Sequence, residues 1–392
     1  MPVSTDRPQV SVVYRHIPQY RKEFYELLRA DLDAASIDLK LVYGQPVGED
    51  ATKADAVRLP WATEIRNRTV DIGGKQVVWQ PAWQEVRGSD LVIVEQASKL
   101  PLNFLLLAAQ RFGGPRVGLW GHGTNMQADG RTLTRTAELA KRRTMRAAHW
   151  FFAYTDGVAE KVRRIGFPND RITVMQNTLD TETLRRCYLE ATDAEVAHVR
   201  ARYGIVGTHV GLYLGALYRG KRLDFLVESA LHTRELVRDF ELVIAGTGPE
   251  ADTVQEAARR HPWIHAVGPV FGREKAVFGR LADVMLIPDL VGLAVLDAFA
   301  LETPLVTTAA AFDRSPEVEY LQHGVNGLVV AGLSPQDYGT AVTDLLHERG
   351  RLDALREGCR VSSSRYTVHE MVSRCAGGIA AALGAPTTDG GP

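Results

Sequence analysis

The sequence predicts an α/β protein built from two doubly wound, Rossmann-like domains with parallel sheets, facing each other across a central cleft. Three observations carry this reading. Short apolar runs alternate with amphipathic helical patterns along the chain. The runs are apolar on both faces, as strands are when helices cover both sides of a parallel sheet. The alternation then restarts after about residue 190, and 392 residues are more than one domain comfortably holds.

Taken in order, "QVSVVYRH" has the pattern of a strand and "YRKEFYELLRADLDAA" that of a helix. The strands "DLKLVYG", "DLVIVEQ", "RVGLWGHG" and "WFFAYT" follow. Helical stretches such as "PLNFLLLAAQRF" and "TLTRTAELAKRRTMRAA" lie between them. After "DRITVMQNTLD" the series begins again with strand "HVGLYLG", helix "LDFLVESALHTREL" and strand "FELVIAGTGPE" running into a turn. "EADTVQEAARR", "IHAVGPV", "REKAVFGRLA", "DVMLIP", "GLAVLDAFAL" and "PLVTTA" continue it. The expected domains are residues 1–185 and 186–366, with a last helix at about 367–385 that could return to the first domain. Residues 386–392 form a small, polar tail expected to be disordered.

Composition narrows the function classes. A formal net charge of −1 argues against a nucleic-acid partner. About 26 basic and 21 acidic residues fall in residues 1–185, so the first half is mildly basic and suits anionic partners. The three cysteines (Cys187, Cys359 and Cys375) have no metal spacing and suggest reduced thiols in the cytoplasm. The N-terminus has no apolar signal core. The longest apolar run, Leu100–Ala109, is too short to span a bilayer. The basic run Arg131–Arg146 leaves peripheral membrane contact open without favouring it, because it lacks a bulky apolar face.

The chemistry is concentrated in the second half. "LYLGALYRGKRLDFLVESA" places Gly215 at a strand end and Lys221 six residues later, in a loop expected to be exposed. "LVIAGTGPE" turns at Gly246 and Gly248. "PDLVGLAVLDAFALETPLVTT" sets Asp289 and Asp297 eight positions apart, and "PEVEYLQHGVNGLVV" closes the set. Taken singly, Asp289 could be a helix cap, Asp297 a solvated helix residue and Lys221 a surface lysine. Together and in this order, over roughly residues 205–335, the segments resemble the nucleotide-sugar half of the retaining GT-B glycosyltransferases of the family-four type. In the first half, "VGLWGHGTN" resembles that family's strand-end histidine motif, and "ITVMQNTLDT" its strand and Asn-containing turn at Asn177. The family's N-terminal glycine pair is absent, and "RHIPQYRKEF" stands in its place.

The resemblance implies a retaining hexosyltransferase that uses a nucleotide diphosphate sugar, a UDP-sugar ahead of a GDP-sugar, with a hydroxyl acceptor of unknown class. Catalytic roles would fall to Lys221, Asp289 and His122. Lys221 would neutralise the leaving diphosphate, with Arg219 standing in for the family arginine replaced here by Ala216. Asp289 would accept hydrogen bonds from sugar hydroxyls and Asp297 from the ribose diol. Gly215, Gly246, Gly248, Gly292, Leu293 and Ala294 would line the phosphates, and the turn at Val270 and Phe271 would hold the base. If the segment is helical from Gly292 onward, eight residues rise about 12 Å, a sensible span from sugar to ribose. That span is too long for a double displacement, which needs carboxyl groups about 5–5.5 Å apart. The family is instead described as using same-face substitution, with His122 lining the sugar. Arg15, His16, Glu95 and Asn177 are candidates for the acceptor side. No cofactor and no metal are expected, and "DLD" at Asp31–Asp33 lies in a helical pattern. A nucleotide-sugar epimerase of the same architecture, or a non-catalytic sugar-nucleotide-binding subunit, are the alternatives.

Overall fold

The computed structural model describes residues 7–48, 51, 56–73, 75–123 and 142–384. Most of the basic run at 131–146, and the tail, lie outside them. The chain forms two compact units, one of residues 1–177 with 368–392 and one of residues 178–367.

The first unit holds β1 (Gln9–Tyr14), β2 (Asp38–Gly44), β3 (Thr63–Ile65), β4 (Arg68–Ile72), β5 (Lys75–Trp79), β6 (Leu91–Glu95), β7 (Arg116–Gly121), β8 (Trp150–Ala153) and β9 (Ile172–Val174). Seven of these make one sheet in the order β3-β2-β1-β6-β7-β8-β9, while β4 and β5 form a separate antiparallel hairpin. Every pairing in the seven-stranded sheet is parallel. The central strands are buried on both faces, which is why they are rich in Val, Leu and Ile. Helix Lys22–Ala34 covers one side with Phe24, Tyr25, Leu28 and Leu32. The last helix, Val368–Leu383, packs beside it and against β9.

The second unit holds β10 (His209–Leu214), β11 (Phe240–Ala245), β12 (Ile264–Gly268), β13 (Val284–Leu286), β14 (Leu305–Thr308) and β15 (Gly327–Val330). Their order is β12-β11-β10-β13-β14-β15, all parallel. The chain lays three strands outward from β10 in one direction, then returns and lays three in the other. Such a reversal sends the connections after β10 and β13 to opposite faces and opens a crevice beyond their carboxyl ends. The first unit reverses in the same way between β1 and β6. Helix starts follow sequence signals: Thr192 and Glu195 form a capping box, and Ser334 caps a helix whose first residue is Pro335. Among the described residues no helix is long and apolar enough to cross a membrane.

Candidate functional site

In the second unit the strand order places the predicted residues. Gly215 directly follows β10, and Asp289 follows β13 after Ile287 and Pro288, so both stand at the reversal point. Lys221 sits in a 3-10 turn, Arg219–Lys221, after β10. It is buried, not exposed as the sequence suggested, and its ammonium donates to the carbonyl of Leu290. The bond ties the loop after β10 to the loop after β13. Burial pulls the Lys221 ammonium down to about 8, with the Asp289 carboxylate opposing that shift.

Asp289 is only 1% exposed. Its Oδ1 accepts from its neighbour's backbone, Leu290 N, at 2.7 Å, and its Oδ2 accepts from Arg314 Nη1 at 3.1 Å. It caps no helix. The helix expected from Gly292 begins at Ala294, with Leu293 as its N-cap, and ends at Ala300. Leu290 and Gly292 adopt φ of 45° and 58°, the left-handed region, and this double turn delays the helix. The straight helical rise expected between the aspartates therefore does not apply. A Cβ on Gly292 would meet only Leu290 O, at 4.0 Å, and the Gly292 N–H donates to Ser315 Oγ at 3.0 Å. The N–H groups of Leu293 and Ala294 have no acceptor among the described residues.

Asp297 lies within the short helix, buried, with its Oδ1 2.6 Å from Lys275 Nζ. The approach is off the hydrogen-bonding direction, so the contact is an ion pair without a well-formed hydrogen bond. Lys275 belongs to helix Gly272–Leu281, which begins after Val270 and Phe271. Val270 is buried, whereas Phe271 is 70% exposed beside this pair's helix. Arg219 is exposed, its carbonyl accepts from Arg222 N at 3.2 Å, and its guanidinium has no partner among the described residues.

Gly246 and Gly248 have a structural duty. A Cβ on Gly246 would lie 1.9 Å from Gly215 O, and one on Gly248 2.3 Å from Leu217 O. The two glycines let the loop after β11 press onto the loop after β10, where Leu217 N donates to Thr247 O at 2.8 Å.

Arg314 and Lys275 are the residues that sequence reading missed. Each pairs with an aspartate more than twenty positions away, so no local spacing announces it. The signal present was the dipeptide Arg314–Ser315 just ahead of the "PEVEY" segment.

In the first unit the reversal point carries Arg15 and Glu95. Glu95 Oε2 accepts from Arg15 N at 3.0 Å and from Arg15 Nε at 3.1 Å. His122, just past β7, has its ring against Tyr154 with centroids 4.5 Å apart. Burial lowers its imidazole to about 4, so it is neutral at pH 7 and a weak base. His16 is buried. Asn177 is tied inward, accepting from the buried Arg21 and donating its N–H to Tyr154 O at 2.7 Å. Asp31 and Asp33 lie on helix Lys22–Ala34, and among the described residues no three His, Cys, Asp or Glu side chains group as a metal site would.

Two parallel sheets, each reversing order at its centre, define a protein of paired Rossmann-like units, the GT-B architecture. Residues 208–348 match the family Glycosyl transferases group 1, so the second unit carries a group 1 glycosyl transferase domain. Over 250 residues the chain is 22% identical to the alpha-D-kanosaminyltransferase of Streptomyces kanamyceticus, spanning 62% of either protein's length. Over 328 residues it is 25% identical to the GDP-mannose-dependent alpha-(1-6)-phosphatidylinositol monomannoside mannosyltransferase of Mycobacterium tuberculosis, covering 80% of both. The structure of Anabaena HepE in complex with UDP-glucose shares the fold, with a TM-score of 0.67 at 13% identity over 94% of this chain and 98% of that one.

Proposed function

We propose that the chain is a retaining, metal-independent glycosyltransferase that moves a hexose from a nucleoside diphosphate sugar to a hydroxyl acceptor. One observation carries the reading. The group 1 domain encloses a sheet reversal at which Lys221 donates to the carbonyl of Leu290 and the neighbouring Asp289 pairs with Arg314. A buried ammonium at such a point suits a diphosphate, whose negative charge grows as the glycosidic bond breaks. Asp297, held by Lys275, would accept the ribose hydroxyls, and the turn at Val270–Gly272 would take the base. At the sugar end Asp289 is enclosed and occupied at both oxygens, whereas Arg314 is 41% exposed. The sugar would therefore meet the Arg314 guanidinium, with Asp289 positioning it. Solved neighbours hold UDP or UDP-glucose, which supports a UDP donor, and the GDP-mannose-dependent relative makes a GDP donor the rival.

Calorimetric titration with UDP, GDP and their hexose conjugates tests this directly. Saturable binding of one nucleotide series in the presence of EDTA is expected. Absence of binding by every member, or binding that requires Mg²⁺ or Mn²⁺, would count against it. Once an acceptor is found, an α-linked product from an α-linked donor should follow, as read by NMR coupling constants.

A further inference from the structure

Three consecutive charged residues, Arg273, Glu274 and Lys275, open helix Gly272–Leu281. Two of them hold the helix in place. Arg273 donates from Nε and Nη2 to the two carboxylate oxygens of Glu195, at 2.8 Å each. Glu274 accepts from Arg202 Nη1 at 3.4 Å, so both residues are committed to helix Asp193–Tyr203. Lys275 instead meets Asp297, in the first turn of helix Ala294–Ala300. One of these helices follows β12 and the other follows β13, so both begin at the carboxyl end of the sheet, where ligands bind in such folds.

The pair is close but not satisfied. Lys275 Nζ stands 2.6 Å from Asp297 Oδ1, yet off the hydrogen-bonding direction, and Oδ1 accepts no hydrogen bond among the described residues. Neither side chain has another partner among those residues. A buried carboxylate oxygen in that condition is uncommon and calls for a partner. Asp297 is 7% exposed, and the Lys275 side chain keeps 21% of its surface, so the pair is enclosed but can still be reached. Chemically the two groups are complementary halves: an ammonium only donates hydrogen bonds and a carboxylate only accepts them.

From this geometry, and resting on the nucleoside diphosphate sugar reading above, we infer that Lys275 is a specificity-determining residue that reads one ribose hydroxyl together with Asp297. The hydroxyl donates to the Asp297 carboxylate, and its oxygen accepts from the Lys275 ammonium. A hydroxyl can do both at once, because it carries one donor and two acceptor lone pairs. A deoxy position can do neither, and it leaves the carboxylate oxygen without a hydrogen bond in an enclosed place. Sites built to bond a hydroxyl reject the analogue that lacks it far more strongly than apolar pockets reject a missing methylene. A carboxylate alone tests only for a donor, whereas the pair tests for donor and acceptor together. The second unit therefore selects ribonucleotides over deoxynucleotides, and Lys275 supplies half of that selection.

Calorimetric titration of the full chain with UDP and GDP, and with the 2′-deoxy and 3′-deoxy counterparts of each, tests it. One deoxy form should bind about a hundredfold more weakly than its ribonucleotide. Lys275→Met should weaken the ribonucleotide about tenfold and that deoxy form little, so the discrimination shrinks. Asp297→Asn gives a second background, with no carboxylate left to hold. There Lys275→Met should still weaken the ribonucleotide several-fold, because the ammonium touches the hydroxyl itself. The double variant buries neither charge, so this comparison stands even where Lys275→Met alone, with Asp297 unpaired, fails to fold. Equal affinity of the wild-type chain for ribo and both deoxy forms would overturn the inference and leave the nucleotide site intact. So would equal losses for ribo and deoxy ligands on Lys275→Met, the mark of a lysine that meets the diphosphate. No loss in the Asp297→Asn background would reduce Lys275 to a prop for the carboxylate, and tighter binding by Lys275→Met would make it a block; either result overturns the inference. Binding of no nucleotide at all would sink the reading beneath it as well.

Discussion

At the scale of the residue, Lys221 and Arg314 set the terms of the site. Holding an ammonium at about 8 instead of 10.5 costs the folded state about 3 kcal/mol near neutral pH. Methionine fills similar space and has no charge to desolvate, so Lys221→Met should not lower the thermal midpoint, while it weakens nucleoside diphosphate binding by about a hundredfold. The pH dependence has a definite sign. The diphosphate binds the protonated amine, so affinity should be level just below pH 8 and fall as pH rises through it, by up to about tenfold per unit. Lys221→Met should lose that decline, and calorimetry across pH 7–10 would show whether it does. The Asp289–Arg314 pair gives a second, independent test. Arg314→Ala should weaken nucleotide-sugar binding by about 1.5–3 kcal/mol and leave the bare nucleotide nearly unchanged. Asp289→Asn should do likewise in the parent chain but add little on top of Arg314→Ala, because Asp289 acts through the guanidinium. Equal losses for Asp289→Asn in both backgrounds would mean that the carboxylate touches the sugar itself.

At the scale of the element, legibility followed burial and locality. Strands β1, β6, β7 and β10 to β14 were readable because each is a short apolar run with turn residues or a helical pattern beside it. The strip β3 and the hairpin β4–β5 were not, since three- and five-residue edge elements with Arg68, Thr69 and Asp71 among them give no apolar run. Gly215, Asp289 and Asp297 were legible as members of ordered motifs. Their chemistry was legible only in part, because it depends on Arg314 and Lys275, which the fold delivers from other elements. The helix start near Gly292 was misplaced by two residues for a similar reason: Leu290 takes a positive φ, uncommon for a branched side chain and held here by the Lys221 bond to its carbonyl. A glycine-rich turn suggested close approach to a ligand, but Gly246 and Gly248 approach their own neighbouring loop.

At the scale of the whole molecule, the two units have separate cores. One cluster of buried apolar side chains runs from Leu184 to Tyr366, and the other combines Val10–Met175 with Val368–Ala382. The chain therefore completes its first core last, with the helix Val368–Leu383. That helix contributes Met371, Val372, Cys375 and Ile379, all nearly inaccessible to solvent. Arg116 Nη1 donates to Ala382 O at 2.7 Å, and His149 Nε2 donates to the same carbonyl at 3.0 Å. Gly378 lies so close to β9 that a Cβ there would sit 2.3 Å from Thr173 Oγ1. Shortening Ile379 to alanine should cost about 2–5 kcal/mol, the usual range for removing a fully buried aliphatic side chain. Because the cores share no residue, that loss should be confined to one of them. Hydrogen exchange read by mass spectrometry should show protection falling in β1, β8 and β9 while β10, β11 and β13 keep theirs, and nucleotide affinity should stay at the parent value. A matching loss of protection in β10 to β13 would show that the two units unfold as one, and that the final helix stabilises the nucleotide-binding half as much as its own.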